Sequence, residues 1–191
     1  MKNQVINSLK CLLVMIVITG IIYPLLMTGA AQLFFAKKAN GSLVMKDGII
    51  VGSSLIGQKF DSTIYFWSRP SAIDYNPMPS SGSNLGPASE KLKMQMLERR
   101  SAFAQLNSIT DPSDISAEML FASGSGLDPH ISPKAATIQY NRVVASRNFN
   151  EAQKKELQGI IEHIKQNPQF SLFGEPRINV FELNLALDNI K

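Results

Sequence analysis

The run CLLVMIVITGIIYPLLMTGAAQLFFA, Cys11 to Ala36, holds 26 residues without one charged side chain and is bounded by Lys10 and Lys37. At 1.5 Å of rise per residue it makes roughly 39 Å of helix, against about 30 Å of hydrocarbon in a bilayer. The run therefore predicts a transmembrane helix. A cleaved signal peptide is the competing reading, because Gly29-Ala30-Ala31 has the small residues of a cleavage site; it would yield a secreted soluble binder. The length, and the apolar residues Leu33 to Ala36 beyond that site, favour an uncleaved anchor. Within the span, Pro24 removes one backbone hydrogen bond, and Gly20, Pro24 and Thr28 recur every fourth residue, a small-residue face on which another membrane helix can pack. Lysines stand on both sides, Lys2 and Lys10 before the span and Lys37, Lys38 and Lys46 after it. Their tally does not orient the chain.

Outward from the span, the 191-residue chain has room for one domain-sized core. The organisation expected is an N-terminal segment 1–10, a span 11–36 and a single mixed α/β domain 37–191. The formal charge of +4 rests on Lys2, Lys10, Lys37 and Lys38, leaving 15 basic and 15 acidic residues beyond position 38. A neutral domain gives nucleic-acid binding little support. Cys11 is the single cysteine, so no intrachain disulfide forms. Asp47-Gly48, between Leu43-Val44-Met45 and Ile49-Ile50-Val51, predicts a tight hairpin. Residues 52–87 read as structured loop around a short strand at Tyr65-Phe66-Trp67, aromatic residues that a core would take. Helices are expected over Ser89 to Leu106, Ser113 to Phe121 and Ser132 to Arg147, and again after Asn150, where Leu157, Ile160, Ile161 and Ile164 form an apolar stripe. The tail from Ile178 alternates like a strand, although its last part equally suits a short helix.

Ala122 to Ala136, ASGSGLDPHISPKAA, is the most demanding segment of the domain. Ser123-Gly124-Ser125-Gly126 permits close backbone approach, prolines hold Asp128 and His130, and Ser132-Pro133 supplies an N-cap and an N1 proline. Ser125, His130 and Asp128 are the residue types of a hydrolase triad, which makes a membrane-anchored periplasmic serine hydrolase the rival reading. No Gly-x-Ser-x-Gly elbow accompanies them. The favoured reading is structural: Asp128 caps backbone amides, His130 packs, and the loop is a shaped or docking element. The two histidines and the membrane-embedded cysteine do not assemble a metal site, and no phosphate-loop lysine pattern occurs, so no independently bound cofactor is expected. Arg69 and Arg142 are each placed to pair with a carboxylate or an anion.

Several motifs occur in a fixed order: Tyr23-Pro24-Leu25, Asn40-Gly41-Ser42-Leu43, Gly52-Ser53-x-Leu55-Ile56-Gly57-Gln58, Tyr65-Phe66-x-x-Arg69-Pro70-Ser71-Ala72, Tyr75-Asn76-Pro77 and Ser81-Gly82-Ser83-Asn84-Leu85. Ala122 to Ala136, Gln139-x-x-Arg142-Val143-x-x-x-Arg147 and Asn179-Val180-x-Glu182-Leu183-Asn184-Leu185-Ala186-Leu187-Asp188 complete the series. With these the chain resembles the C subunits of bacterial high-affinity potassium-transporting Kdp ATPases; the helix from Ser89 to Leu106 carries none of the motifs. The resemblance implies an inner-membrane protein with one span and a periplasmic domain. Its implied partners are a potassium-channel-like subunit, a P-type ATPase subunit and a small membrane peptide, besides the lipid bilayer. It also implies a catalytic chaperone, itself no enzyme, that raises the ATPase subunit's affinity for ATP, with Gln139 at the position proposed to touch the nucleotide. A periplasmic domain does not reach cytoplasmic ATP across about 30 Å of hydrocarbon, so Gln139 holding the Ala122–Ala136 loop or a partner is the favoured role, with nucleotide contact the minority one.

Overall fold

The computed structural model describes residues 2–190. Its contacts divide the chain into two units, Met1–Ser53 and Ser54–Lys191.

The first unit is dominated by the helical stretch Lys2–Ala39, long and apolar enough to cross a membrane and kinked at Phe35, whose backbone angles are non-helical. Helix α1 is Lys2–Val17 and α2 is Tyr23–Ala39. Between them Ile18–Ile22 forms one π-turn, closed by the Tyr23 N–H donating to the Ile18 carbonyl. The cause is Pro24, whose ring would strike the Gly20 carbonyl in an unbroken α-helix. Widening the preceding turn moves that carbonyl aside and keeps the helix continuous. None of these residues is buried against the rest of the chain, and a methyl group added at Gly20 would meet nothing within 4 Å. After α2, strands β1 (Leu43–Lys46) and β2 (Ile49–Ser53) pair antiparallel. Asp47 and Gly48 both take positive φ, 52° and 79°, the two-residue turn that matches strand twist.

The second unit holds four α-helices joined by long irregular segments. Helix α3 is Glu90–Leu106, capped by Ser89, and α4 is Pro133–Arg147, capped by Ser132 with Pro133 in its first turn. Helix α5 is Glu151–Ile164, opened by a reciprocal capping box between Asn150 and Gln153. Strand β3 (His130–Ile131) pairs antiparallel with β4 (Ile178–Asn179), His130 opposite Asn179 and Ile131 opposite Ile178. Helix α6, Val180–Leu187, follows β4 directly, with the Glu182 N–H donating to the Asn179 side chain.

Two expectations are corrected. The residues expected to form a helix over Ser113–Phe121 make two single 3-10 turns, Pro112–Asp114 and Ala117–Met119. Ile115 and Ser116 between them are extended, and Ile115, Met119 and Leu120 are all buried in the core. Tyr65-Phe66-Trp67 is not a strand: the Tyr65 N–H closes a turn on the Ser62 carbonyl, and the backbones of Phe66 and Trp67 are held by side chains. The tail keeps strand geometry only at Ile178–Asn179. From Val180 it is helical, and Val180, Phe181, Leu183, Asn184 and Leu187 are all buried, which makes α6 the central helix of the domain. Around it lie Phe66, Phe103, Ile131, Ala135, Ala136, Val143, Leu157 and Ile178.

Candidate functional site

The polar residues singled out on α4 converge on one segment, residues 62–67. Gln139 is fully buried and both ends of its amide are used. Its Oε1 accepts from the Trp67 N–H (2.7 Å) and from Arg142 Nη2 (2.8 Å), while Nε2 donates to the carbonyls of Trp67 (3.2 Å) and Ala135 (3.3 Å). From α6, Asn184 does the same for the neighbouring residue, accepting from the Phe66 N–H and donating to the Phe66 carbonyl, each at 2.9 Å. Two amides thus replace the ladder that a strand at Tyr65–Trp67 would have needed, and satisfy buried backbone groups that would otherwise cost about 1–3 kcal/mol apiece.

Arg142 and Arg147 grip the same segment one turn apart on α4. Arg142 donates through Nε to Asn107 (2.9 Å), through Nη1 to the Thr63 carbonyl, and stacks on Trp67 with its guanidinium carbon 4.2 Å from the ring centroid. Among the described residues it has no carboxylate partner, and burial pushes its pKa down to about 10. It remains charged at neutral pH, its protons spent on an amide, a carbonyl and a π face. Arg147 donates to the Ile64 carbonyl (2.8 Å), pairs with Asp188 at 2.6 Å and lies 5.0 Å over Tyr65, whose hydroxyl also meets Asp188.

The Ala122–Ala136 loop is sewn into the same framework. The Ser123 N–H donates to the Pro70 carbonyl (3.0 Å), the Gly57 N–H to the Leu127 carbonyl (2.8 Å), the Ser80 hydroxyl to the Ser125 carbonyl (2.9 Å) and the Val180 N–H to the Pro129 carbonyl (2.9 Å). Gly126, at φ 71°, sits where a side chain would lie 2.5 Å from Ile73, and a methyl at Gly57 would lie 2.7 Å from the Asp128 carbonyl oxygen. Ser123 is buried; Gly124 lies against Gly82.

Asp128 accepts from the His130 N–H (3.0 Å) and pairs with Arg69 at 2.9 Å, while His130 Nδ1 stands 3.6 Å from its carboxylate. Burial works against ionisation of Asp128, but the hydrogen bonds from His130 and the Arg69 guanidinium outweigh it and hold the carboxyl below its ordinary value. Ser125 Oγ accepts from the Leu127 N–H at 3.1 Å, a turn contact within the loop. Among the described residues no serine-to-imidazole hydrogen bond is formed, and Asp128 is engaged by Arg69, so the geometry does not favour the hydrolase alternative. Arg69 has its intrachain carboxylate, as its setting allowed. The sequence reading missed Asn107 and Asn184; the Asn179-x-x-Glu182 spacing, a helix-start pattern, placed Asn184 on an inward turn and was the available signal.

One long apolar helix followed by a small α/β domain, its singled-out polar residues turned inward on its own backbone, is an architecture that suits a membrane-anchored protein. Over residues 5–189 the chain matches the KdpC family, described as "K+-transporting ATPase, c chain". Relatives named potassium-transporting ATPase KdpC subunit include those of Dechloromonas aromatica, 43% identical and covering all of this chain and 99% of the relative, and Methylococcus capsulatus, 44% identical with both chains covered completely. That of Mycobacterium bovis is 43% identical, again over both whole chains. The chain belongs to the KdpC family of potassium-transporting ATPase subunits.

Proposed function

We propose that this subunit acts by assembly: its span packs on a neighbouring membrane subunit through Gly20, Pro24 and Thr28, and its domain docks on the outer, periplasmic side of the inner membrane. The observation that carries this reading is the helix Lys2–Ala39, none of whose surface is buried by its own chain, with open space at Gly20 beside the π-turn. An apolar helix gains nothing hydrophobic by leaving lipid for a neighbour, so small residues that admit a close partner backbone are what such packing uses. The partners we assign are the channel-like subunit, the ATPase subunit and the small membrane peptide. Ion conduction and ATP hydrolysis fall to those subunits, and this chain is not itself an enzyme.

For the ATP-affinity role, the geometry of Gln139 supports an indirect route. Both amide donors and both lone pairs of its carbonyl are occupied within the domain. A nucleotide contact would have to break the bonds that hold Trp67, so we assign Gln139 to holding the domain and any effect on ATP affinity to docking. Substituting Gly20→Leu should sharply reduce recovery of the other subunits in a detergent pull-down. Recovery equal to the parent would refute the packing face. Protease shaving of spheroplasts tests the orientation independently: digestion of the domain supports the periplasmic assignment, and protection overturns it.

A further inference from the structure

Helix α3, a long element of the domain outside the ordered motifs, carries Lys91, Gln95, Arg99 and Ala102–Phe103 along one face, at intervals of three to four residues. That face borders two cavities that share Ser71 and Arg99. The first, of about 300 Å³, is walled by Phe60, Trp67, Pro70, Tyr75, Phe103 and Met119. The second, of about 260 Å³, is polar: Lys91 and Arg99 face Ser71, Ser83 and Gln95, and no carboxylate lines it. The helix face thus passes from a cationic cavity to an apolar one, with Arg99 lining both and tied by Nη1 to the Leu120 carbonyl at 2.9 Å.

The aromatic cavity holds its own ion pair, Lys59 with Asp74 at 2.9 Å. The polar cavity keeps Lys91 and Arg99 uncompensated, since neither forms an ion pair among the described residues.

We propose that the two cavities together bind a small amphiphilic anion: an aromatic or branched apolar group seated among Trp67, Tyr75 and Phe103, joined to a carboxylate or phosphate held by Arg99 and Lys91. The apolar wall supplies burial, and the paired cations select charge. The lining includes no residue of the long apolar helix and not Gln139, so the site stands or falls apart from the assembly role.

Trp67 is the chain's single tryptophan and lines the aromatic cavity, which makes its emission a direct reporter of occupancy. The full-length protein, held in phosphatidylcholine nanodiscs, is titrated with 3-phenylpropionate, phenyl phosphate and the neutral 3-phenylpropionamide. A saturable change in Trp67 emission is expected with both anions, and binding of the amide should be at least about tenfold weaker, the loss of one charge-assisted contact. Arg99→Gln and Lys91→Gln should each weaken the anions about tenfold; Lys91 is exposed, so its replacement keeps the test valid if Arg99→Gln disturbs the fold. No saturable response, equal binding of the amide, or anion affinity unchanged in both variants would each overturn the proposal.

Discussion

Replacing Gln139 by leucine isolates the role of the amide, because leucine keeps much of the volume and all of the burial while deleting four hydrogen bonds. The Ala135 carbonyl keeps its helical bond. Three groups are stranded: the Trp67 N–H, the Trp67 carbonyl and one arm of the Arg142 guanidinium. At about 1–2 kcal/mol for each, the loss is about 3–6 kcal/mol. The added apolar surface returns about 1–2 kcal/mol, for a net destabilisation of about 2–4 kcal/mol. That is a large share of the roughly 5–15 kcal/mol available to a domain. Urea unfolding of the full chain, followed through Trp67, measures it, and the folded variant should already show altered emission because the indole backbone has lost its anchor. Gln139→Glu, which keeps an acceptor toward Arg142 but no donors, should fall between parent and leucine. A Gln139→Leu protein within about 1 kcal/mol of the parent, with unchanged emission, would refute the clamp and return Gln139 to the pool of residues free to meet a ligand.

Other perturbations probe the loop. Asp128 has a folded pKa below its unfolded value, so its contribution to stability is fully present above the unfolded value, about 3.9, and is lost as pH falls through the folded one. Asp128→Asn should therefore lower stability at neutral pH and flatten the loss of stability on acidification below about pH 4, read by denaturant titration across that range; an acid profile as steep as the parent's would contradict the assignment. Gly57→Ala places a methyl 2.7 Å from the Asp128 carbonyl oxygen and strains the hydrogen bond from its own N–H to Leu127. Overpacking against backbone costs about 1–3 kcal/mol, so the melting temperature should fall by several degrees. An unchanged melting curve would show that the loop yields.

Much of this chain was legible where local chemistry decides the outcome. The uncharged run gave the long helix, Asp47-Gly48 the hairpin, and Ser89, Ser132-Pro133 and Asn150 the starts of three helices, since caps and turns are settled by neighbours in sequence. Tyr65–Trp67 was misread as a strand for the opposite reason. Aromatic and apolar residues in a row satisfy strand propensity, yet the segment's hydrogen bonds go to amides 72 and 118 residues away, which no local pattern announces. The broken turn at Ile115 had the same origin, as three core contacts outweighed helical continuity. In the loop, Asp128 was correctly read as a cap, while its ion pair with Arg69, 59 residues distant, was visible only as a need on each side.

The grip of Asn184 on Phe66 also sets an order of events in time. It closes a loop of 118 residues, and its distal end lies in the last helix of the chain, seven residues from Lys191. Contacts so far apart in sequence are slow to form and reward the chain only after the whole intervening segment is organised. Until α6 docks, segment 62–67 and the apolar faces of α4 and α5 have no central helix to pack on. A chain truncated anywhere between β2 and α6 therefore keeps the long apolar helix but no folded domain, and leaves those faces open to proteases and to misassociation.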